Sequence, residues 1–137
     1  MEQQQRPDPL NRIDGAFFWA AAERGELAVQ RCCKCDRLWH PPRPVCPVCH
    51  GQDMDEQVLS GQGRVLSWAL SVHPRPFGFA EPPIAVLVEM EEGVRIVSTL
   101  EGVPLDEVHS DLAVKVDFVR SNGGKALPLF RPAETRA

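Results

Sequence analysis

All five cysteines of this 137-residue chain fall in one run, RCCKCDRLWHPPRPVCPVCH, from Arg31 to His50. Thiols packed that densely can catalyse, form disulfides or bind a metal, and their spacing separates these uses. Cys32-x-x-Cys35 and Cys46-x-x-Cys49 are two short hairpin spacings with ten residues between them. Each lets two sulfurs converge on one ion from a tight turn, which is the pattern of a zinc ribbon. The expectation is one structural Zn2+ per chain on Cys32, Cys35, Cys46 and Cys49. Four thiolates also suit a single iron, but a rubredoxin built for electron transfer is mostly ribbon, and here the ribbon is a minor part of the chain. A closed four-sulfur set leaves no position for water, so the metal has no catalytic role. The residues after each pair, Asp36 and His50, are types that tolerate the left-handed backbone such turns need. Cys33 is left over and is assigned to packing or the surface. Arg31, Lys34, Arg37 and Arg43 surround the cluster. They either offset the negative charge of a zinc–tetrathiolate centre or meet the phosphates of a ligand.

The flanking segments must hold this ribbon in place. Gly15–Leu27 reads as a short amphipathic helix, with Asp14 as N-cap and Gly25 as its stop. Phe17, Phe18 and Trp19 in succession exceed one core-facing stripe, so part of that aromatic surface packs on the ribbon or faces a partner. Leu27–Arg31 follows as the first ribbon strand. Beyond the ribbon the period changes to two: Gly63–Val72 alternates with Leu66, Trp68, Leu70 and Val72 on one face. Ile84–Met90, Val94–Leu100, Leu112–Phe118 and Ala126–Phe130 complete five short strands, with a break at Gly102–Ser110. A five-stranded OB-like barrel fits this size. The expected fold is therefore mainly β: an N-terminal helix, a rubredoxin-like zinc ribbon and a C-terminal OB-fold barrel. Its expected division is tail and helix over 1–26, ribbon over 27–56, barrel over 57–132 and a flexible tail over 133–137. The loop His73–Pro83 carries four prolines with His73, Arg75, Phe77 and Phe79. It reads either as a lid with buried rings or as a stiff loop presenting aromatics.

Composition narrows the function classes. The net charge is -4, and residues 51–137 hold eight Lys/Arg against thirteen Asp/Glu. A non-specific nucleic-acid clamp is basic where it grips, so the acidic barrel half argues against that alternative. The apolar runs are too short to cross a bilayer, and MEQQQRPDPLNRIDG lacks a signal-peptide pattern, so the expected location is cytoplasmic. His40, His50, His73 and His109 lie in separate segments without a nucleophile or paired carboxylates beside them. Phosphate-loop and nucleophile-elbow motifs are absent too. A binding or accessory protein is expected rather than an enzyme acting alone.

The segments Gln30–Cys35, Pro41–Cys49, Gly61–Trp68 and Pro74–Pro83 together resemble the zinc-ribbon/OB-fold proteins of the DUF35 type, over about residues 14 to 130. Cys33, Asp36 and His50 depart from that family's pattern. So does Ser110–Ala113. The resemblance implies a non-catalytic subunit of a thiolase-like enzyme, a thiolase or a lipid-transfer-type aldolase, in acyl-CoA and steroid breakdown. It further implies a heterotetramer with that enzyme, a MaoC-type hydratase as a second partner, and an acyl-CoA binding or channelling role. Phe18, Trp19, Arg31, Arg37, Trp39, Arg43, His73, Arg75, Phe77 and Phe79 are the candidate partner or acyl-CoA contacts.

Overall fold

The computed structural model describes residues 6–10 and 13–133; positions 1–5 and 134–137, the ends of the expected tails, lie outside them. A 3-10 turn (Ile13–Gly15) leads into helix α1 (Ala16–Glu23). Three strands follow, β1 (Ala28–Cys32), β2 (Leu38–Trp39) and β3 (Met54–Val58). The remainder is β4 (Gln62–Leu70), β5 (Ile84–Met90), β6 (Arg95–Leu100), β7 (Ala113–Arg120) and β8 (Ala126–Pro132). The first three strands form an antiparallel sheet in the order β2-β1-β3, and the last five close a barrel in the order β4-β5-β6-β8-β7. The β6–β8 pair is parallel and the other barrel pairs are antiparallel, so the expected mainly β architecture is present.

Helix α1 is shorter than its sequence signals and starts differently. Asp14 lies inside the 3-10 turn, one residue before the N-cap, so Gly15 takes that position without a side-chain cap. The stop at Gly25 is as expected. Gly25 has φ 75°, and the N–H groups of Gly25 and Glu26 bond to the carbonyls of Ala22 and Ala21. This is a Schellman closure, which satisfies carbonyls the helix end would otherwise leave free. Phe18, Ala21 and Ala22 are the buried face. The Glu23 carboxylate then ties the helix to β8 and its approach, accepting from the backbone N–H of Ala126 at 2.8 Å and from Arg120 at 2.8 Å.

The start of the barrel needs two glycines. Gly61 has φ 85°, and a Cβ there would sit 2.9 Å from Val116. At Gly63 a Cβ would meet the Glu89 carbonyl and the Val88 side chain, each at 2.7 Å, so β4 and β5 approach closely only because that carbon is missing. Just beyond, the register shifts between Val65 and Ser67. The bulge corrects the expected β4 pattern: Val65, not Leu66, is the fully buried residue of this strand. Trp68 and Leu70 pair with the inward Val86 and Ile84, yet they stay 37% and 39% exposed. Strand β7 pairs with β4 only over Gln62–Arg64, so the far half of β4 lacks that neighbour.

One core runs through these parts. Phe18 from α1, Leu27 just before β1 and Val29 within it pack in one cluster with Val65, Val86, Val88, Met90, Ile96, Val114 and Phe130 of the barrel. Burying a Val, Leu or Phe side chain is worth about 1.5–3 kcal/mol. The helix and ribbon base are thus anchored to the barrel by the same force that fills it.

Candidate metal centre and the surfaces around it

The Sγ atoms of Cys32, Cys35, Cys46 and Cys49 all lie within 4.8 Å of one another. Cys32–Cys49 are 3.5 Å apart and Cys35–Cys46 are 3.7 Å apart. Sulfurs at about 2.3 Å from a tetrahedral zinc are themselves about 3.8 Å apart, so this donor set fits the ion. The two halves repeat one local design. The N–H of Asp36 bonds to the Cys32 carbonyl at 2.9 Å, and that of His50 to the Cys46 carbonyl at 3.0 Å. Both turn residues have φ 62°. The N–H of Lys34 donates to the Cys32 sulfur and that of Val48 to the Cys46 sulfur, each at 3.4 Å.

Those donors bias the thiols toward the charged form that a metal needs. For Cys32, the backbone N–H groups of Cys35 and Lys34 lower the pKa despite the opposing effect of burial. For Cys46, burial acts upward, but the N–H groups of Cys49 and Val48 and the neighbouring thiols outweigh it and bring the pKa to about 6. At Cys35 the Arg37 N–H acts downward, yet burial and the neighbouring sulfurs prevail and push it up to about 12. Thiolates so close repel one another, and a cation among them removes that conflict. Cys33 is outside the cluster. Its side chain is exposed, yet partial desolvation first, then Asp53 and Asp55, raise its pKa, which is the opposite of an activated nucleophile.

The other candidate residues divide among different surroundings. Arg31 bonds to Asp36 at 2.8 Å and Asp55 at 3.1 Å, so its guanidinium is engaged within the ribbon. Arg37 and Arg43 are exposed, and the Arg43 N–H donates to the Gln30 side-chain oxygen at 2.6 Å. Trp39 is buried against Cys32 and Cys46 and offers no surface to a partner. In the proline-rich loop, Arg75 donates to the Ala80 carbonyl at 2.8 Å and braces the turn. His73 is exposed, and Phe77 is 65% exposed, so the loop does not bury both rings as a lid. Phe79 is half-buried beneath the Arg6 guanidinium, 4.4 Å from its ring centroid. Phe18 and Trp19 meet edge to face, and with Phe77 and Phe79 they line a cleft that also contains His40. Reading the residues in sequence missed His40 and Arg6. A lone histidine before two prolines carries no spacing signal, and the Arg6–Phe79 contact joins segments far apart in the chain.

Comparison with known proteins agrees with this geometry. Residues 19–55 match the model described as ChsH2, rubredoxin-like zinc ribbon domain, and residues 56–119 match ChsH2, C-terminal OB-fold domain. A probable enoyl-CoA hydratase alpha subunit of Thermomonospora curvata is 38% identical over 128 residues, covering 93% of this chain and 40% of that protein. The chain therefore spans about two fifths of that relative's length. A DUF35 domain-containing scaffold protein of Methanocaldococcus jannaschii is 31% identical, over 72% of this chain and 71% of that one. The solved structure named Ltp2-ChsH2(DUF35) aldolase superposes with a TM-score of 0.86 at 37% identity, covering 93% of this chain and 100% of the matched chain. A benzoylsuccinyl-CoA thiolase subunit is a more distant relative. Ribbon, barrel and relatives together show that the chain belongs to the ChsH2/DUF35 family of zinc-ribbon/OB-fold subunits and scaffolds.

Proposed function

We propose that this chain is the non-catalytic subunit of a thiolase-fold enzyme, a thiolase or an aldolase of lipid-transfer type, that acts on acyl-CoA substrates. The observation that carries the reading is the set of large apolar side chains left exposed on the open half of β4 and in the proline-rich loop. Trp68 and Leu70 on β4 and Val72 and Phe77 in the loop after it are large side chains left 37%, 39%, 59% and 65% exposed. An exposed apolar set of this kind marks a protein–protein contact, and related chains are named as parts of acyl-CoA enzymes. Exposed Arg37 and Arg43 beside the ribbon are suited to the phosphates of CoA as charge-assisted donors. A heterotetramer of two subunits and two enzyme chains is the proposed assembly. A MaoC-type hydratase is a further proposed partner, in keeping with the hydratase subunit among the relatives.

The test is co-elution from the native lysate with mass spectrometry of the retained proteins. A thiolase-fold enzyme at near-equal yield is expected. Because Phe77 is exposed, Phe77→Ser should abolish that co-elution while zinc content and melting temperature stay near those of the unaltered chain. Recovery of ribosomal proteins or nucleic acid at moderate salt would overturn the reading.

A further inference from the structure

The proline-rich loop that presents Phe77 is thinly attached. The Ser71 N–H donates to the Pro83 carbonyl at 2.9 Å and closes its base, and Arg75 braces it from inside through the Ala80 carbonyl. Among the described residues, no hydrogen bond runs from His73–Pro82 to another part of the chain. Prolines limit the conformations open to such a loop, but they do not choose one. Yet Phe77 faces solvent while Phe79, two residues on, is half-buried. The charge that meets Phe79 comes from outside the loop.

That charge is Arg6. Its guanidinium lies over the Phe79 ring, 4.4 Å from the centroid, and pairs with Glu101, just after β6, at 3.2 Å. The Arg6 side chain is only 16% exposed. A cation sheltered that far is attracted to an aromatic face and to a carboxylate more strongly than one in open water. Arg6 is itself held from the other side. The Asn122 N–H donates to its carbonyl at 2.7 Å, and Asp8 accepts from the Ser121 hydroxyl and, at 2.7 Å, from the Gly123 N–H. Gly123 is part of that fit, since a Cβ there would collide with the Asp8 carboxylate. The turn between β7 and β8 thus grips the Arg6–Asp8 backbone, and the Arg6 side chain reaches from there to a loop about seventy residues away in sequence.

We propose that Arg6–Asp8 is a strap with Arg6 as its positioning residue: clamped between Glu101 and Phe79, Arg6 holds the proline-rich loop in the arrangement that turns Phe77 outward for a protein partner. A loop ordered in advance loses less conformational freedom when it docks, so the strap raises affinity for that partner. The partner's identity rests on the subunit reading, whereas the strap is a property of the free chain.

The test reads loop order in the full, zinc-loaded, 15N-labelled chain from the heteronuclear NOE of the Arg75, Phe77, Gly78, Phe79 and Ala80 amides. Affinity is read by titration with the thiolase-fold enzyme recovered by co-elution. Arg6→Gln should lower the loop NOEs while those of β5 stay unchanged, and should weaken enzyme binding about 2- to 5-fold, the worth of one cation–π contact. Arg6→Lys keeps a cation for the ring and should restore most of both effects, which a loss of packing alone would not allow. In a Phe79→Leu background, Arg6→Gln should change affinity by less than about 2-fold, because the contact is already gone. Gly123→Ala alters neither Arg6 nor the loop, yet it should displace Asp8 and lower the loop NOEs too, so the strap stays testable if Arg6→Gln fails to fold. Loop NOEs that stay unchanged in both Arg6→Gln and Gly123→Ala would overturn the proposal. So would a loosened loop that binds the enzyme as before. If the unaltered chain recovers no thiolase-fold enzyme, the subunit reading falls, and the loop NOEs alone decide for or against the strap.

Discussion

Asp36 and His50 share a φ of 62° because each ends the turn that aims a pair of sulfurs. That is why the metal site could be read from spacing: its geometry is set within four residues on either side, and only the meeting of the two halves is long-range. His40 is the opposite case. What distinguishes it is a stacked ring from another element and an unfilled nitrogen, neither of which has a trace in its neighbours along the chain. The two kinds of cysteine offer a direct contrast. Cys46→Ser removes a buried ligand, and structural zinc sites contribute roughly 10–16 kcal/mol of apparent binding energy, so the ribbon should lose its metal and its order. Cys33→Ser should retain one zinc per chain by metal analysis and melt within about 2 °C of the unaltered protein, because a ΔΔG under about 0.5 kcal/mol is usual at an exposed position away from such features. Loss of zinc in the Cys33 variant would make it a ligand after all.

Strand β5 is legible as a short, nearly continuous apolar run, and the structure buries Ile84, Val86, Val88 and Met90, every second residue of it. Two strands were harder to read. Strand β3 is polar at its three central residues and forms because Ala28–Cys32 offers it an edge, a cause that lies in its partner. In β4 the bulge after Val65 breaks the period at one residue. The ties between the N-terminal segments and the β7–β8 turn are equally invisible to periodicity. Hydrogen bonds from Ser121 and the Gly123 N–H hold the Asp8 carboxyl below its ordinary 3.8, and bonds from the Ala126 N–H and Arg120 hold Glu23 below its ordinary 4.5. Both pKa values are depressed in the folded chain, so this tethering is complete above those ordinary values. It is lost as pH falls from about 4.5 through the folded values. The protection factors of the Gly123 and Ala126 amides, taken against the intrinsic exchange rate at each pH, should therefore fall on acidification before those of the β5 strand do. Asp8→Asn and Glu23→Gln should each flatten the pH response at one amide, Gly123 and Ala126 respectively. If both amides exchange at one rate regardless of these changes, the carboxylates are not what holds the segments.

At the scale of the whole molecule the described residues form two buried clusters of unequal size. The large one joins Phe18, Leu27 and Val29 to the barrel, and the small one is Cys32, Trp39 and Cys46 with Cys49 and Met54 packed on it. They meet along one strand, since Val29 belongs to the first and Cys32 to the second. The small cluster has too little apolar surface to order itself, so its stability rests on the metal. The large cluster holds Phe130, Val65 and Val88 fully buried and is apolar throughout. Stripping zinc with a strong chelator should therefore undo the ribbon tip alone. Amide protection should disappear at Cys32, Asp36, Cys46 and His50, whose N–H bonds close the two turns, and persist in β5 and β8. Phe130→Ala should do the reverse, costing about 3–5 kcal/mol and lowering the main melting transition with zinc still bound until that transition. A chelated chain that loses protection everywhere at once would mean that the ribbon and barrel are one cooperative unit, with the metal supporting the barrel through β1.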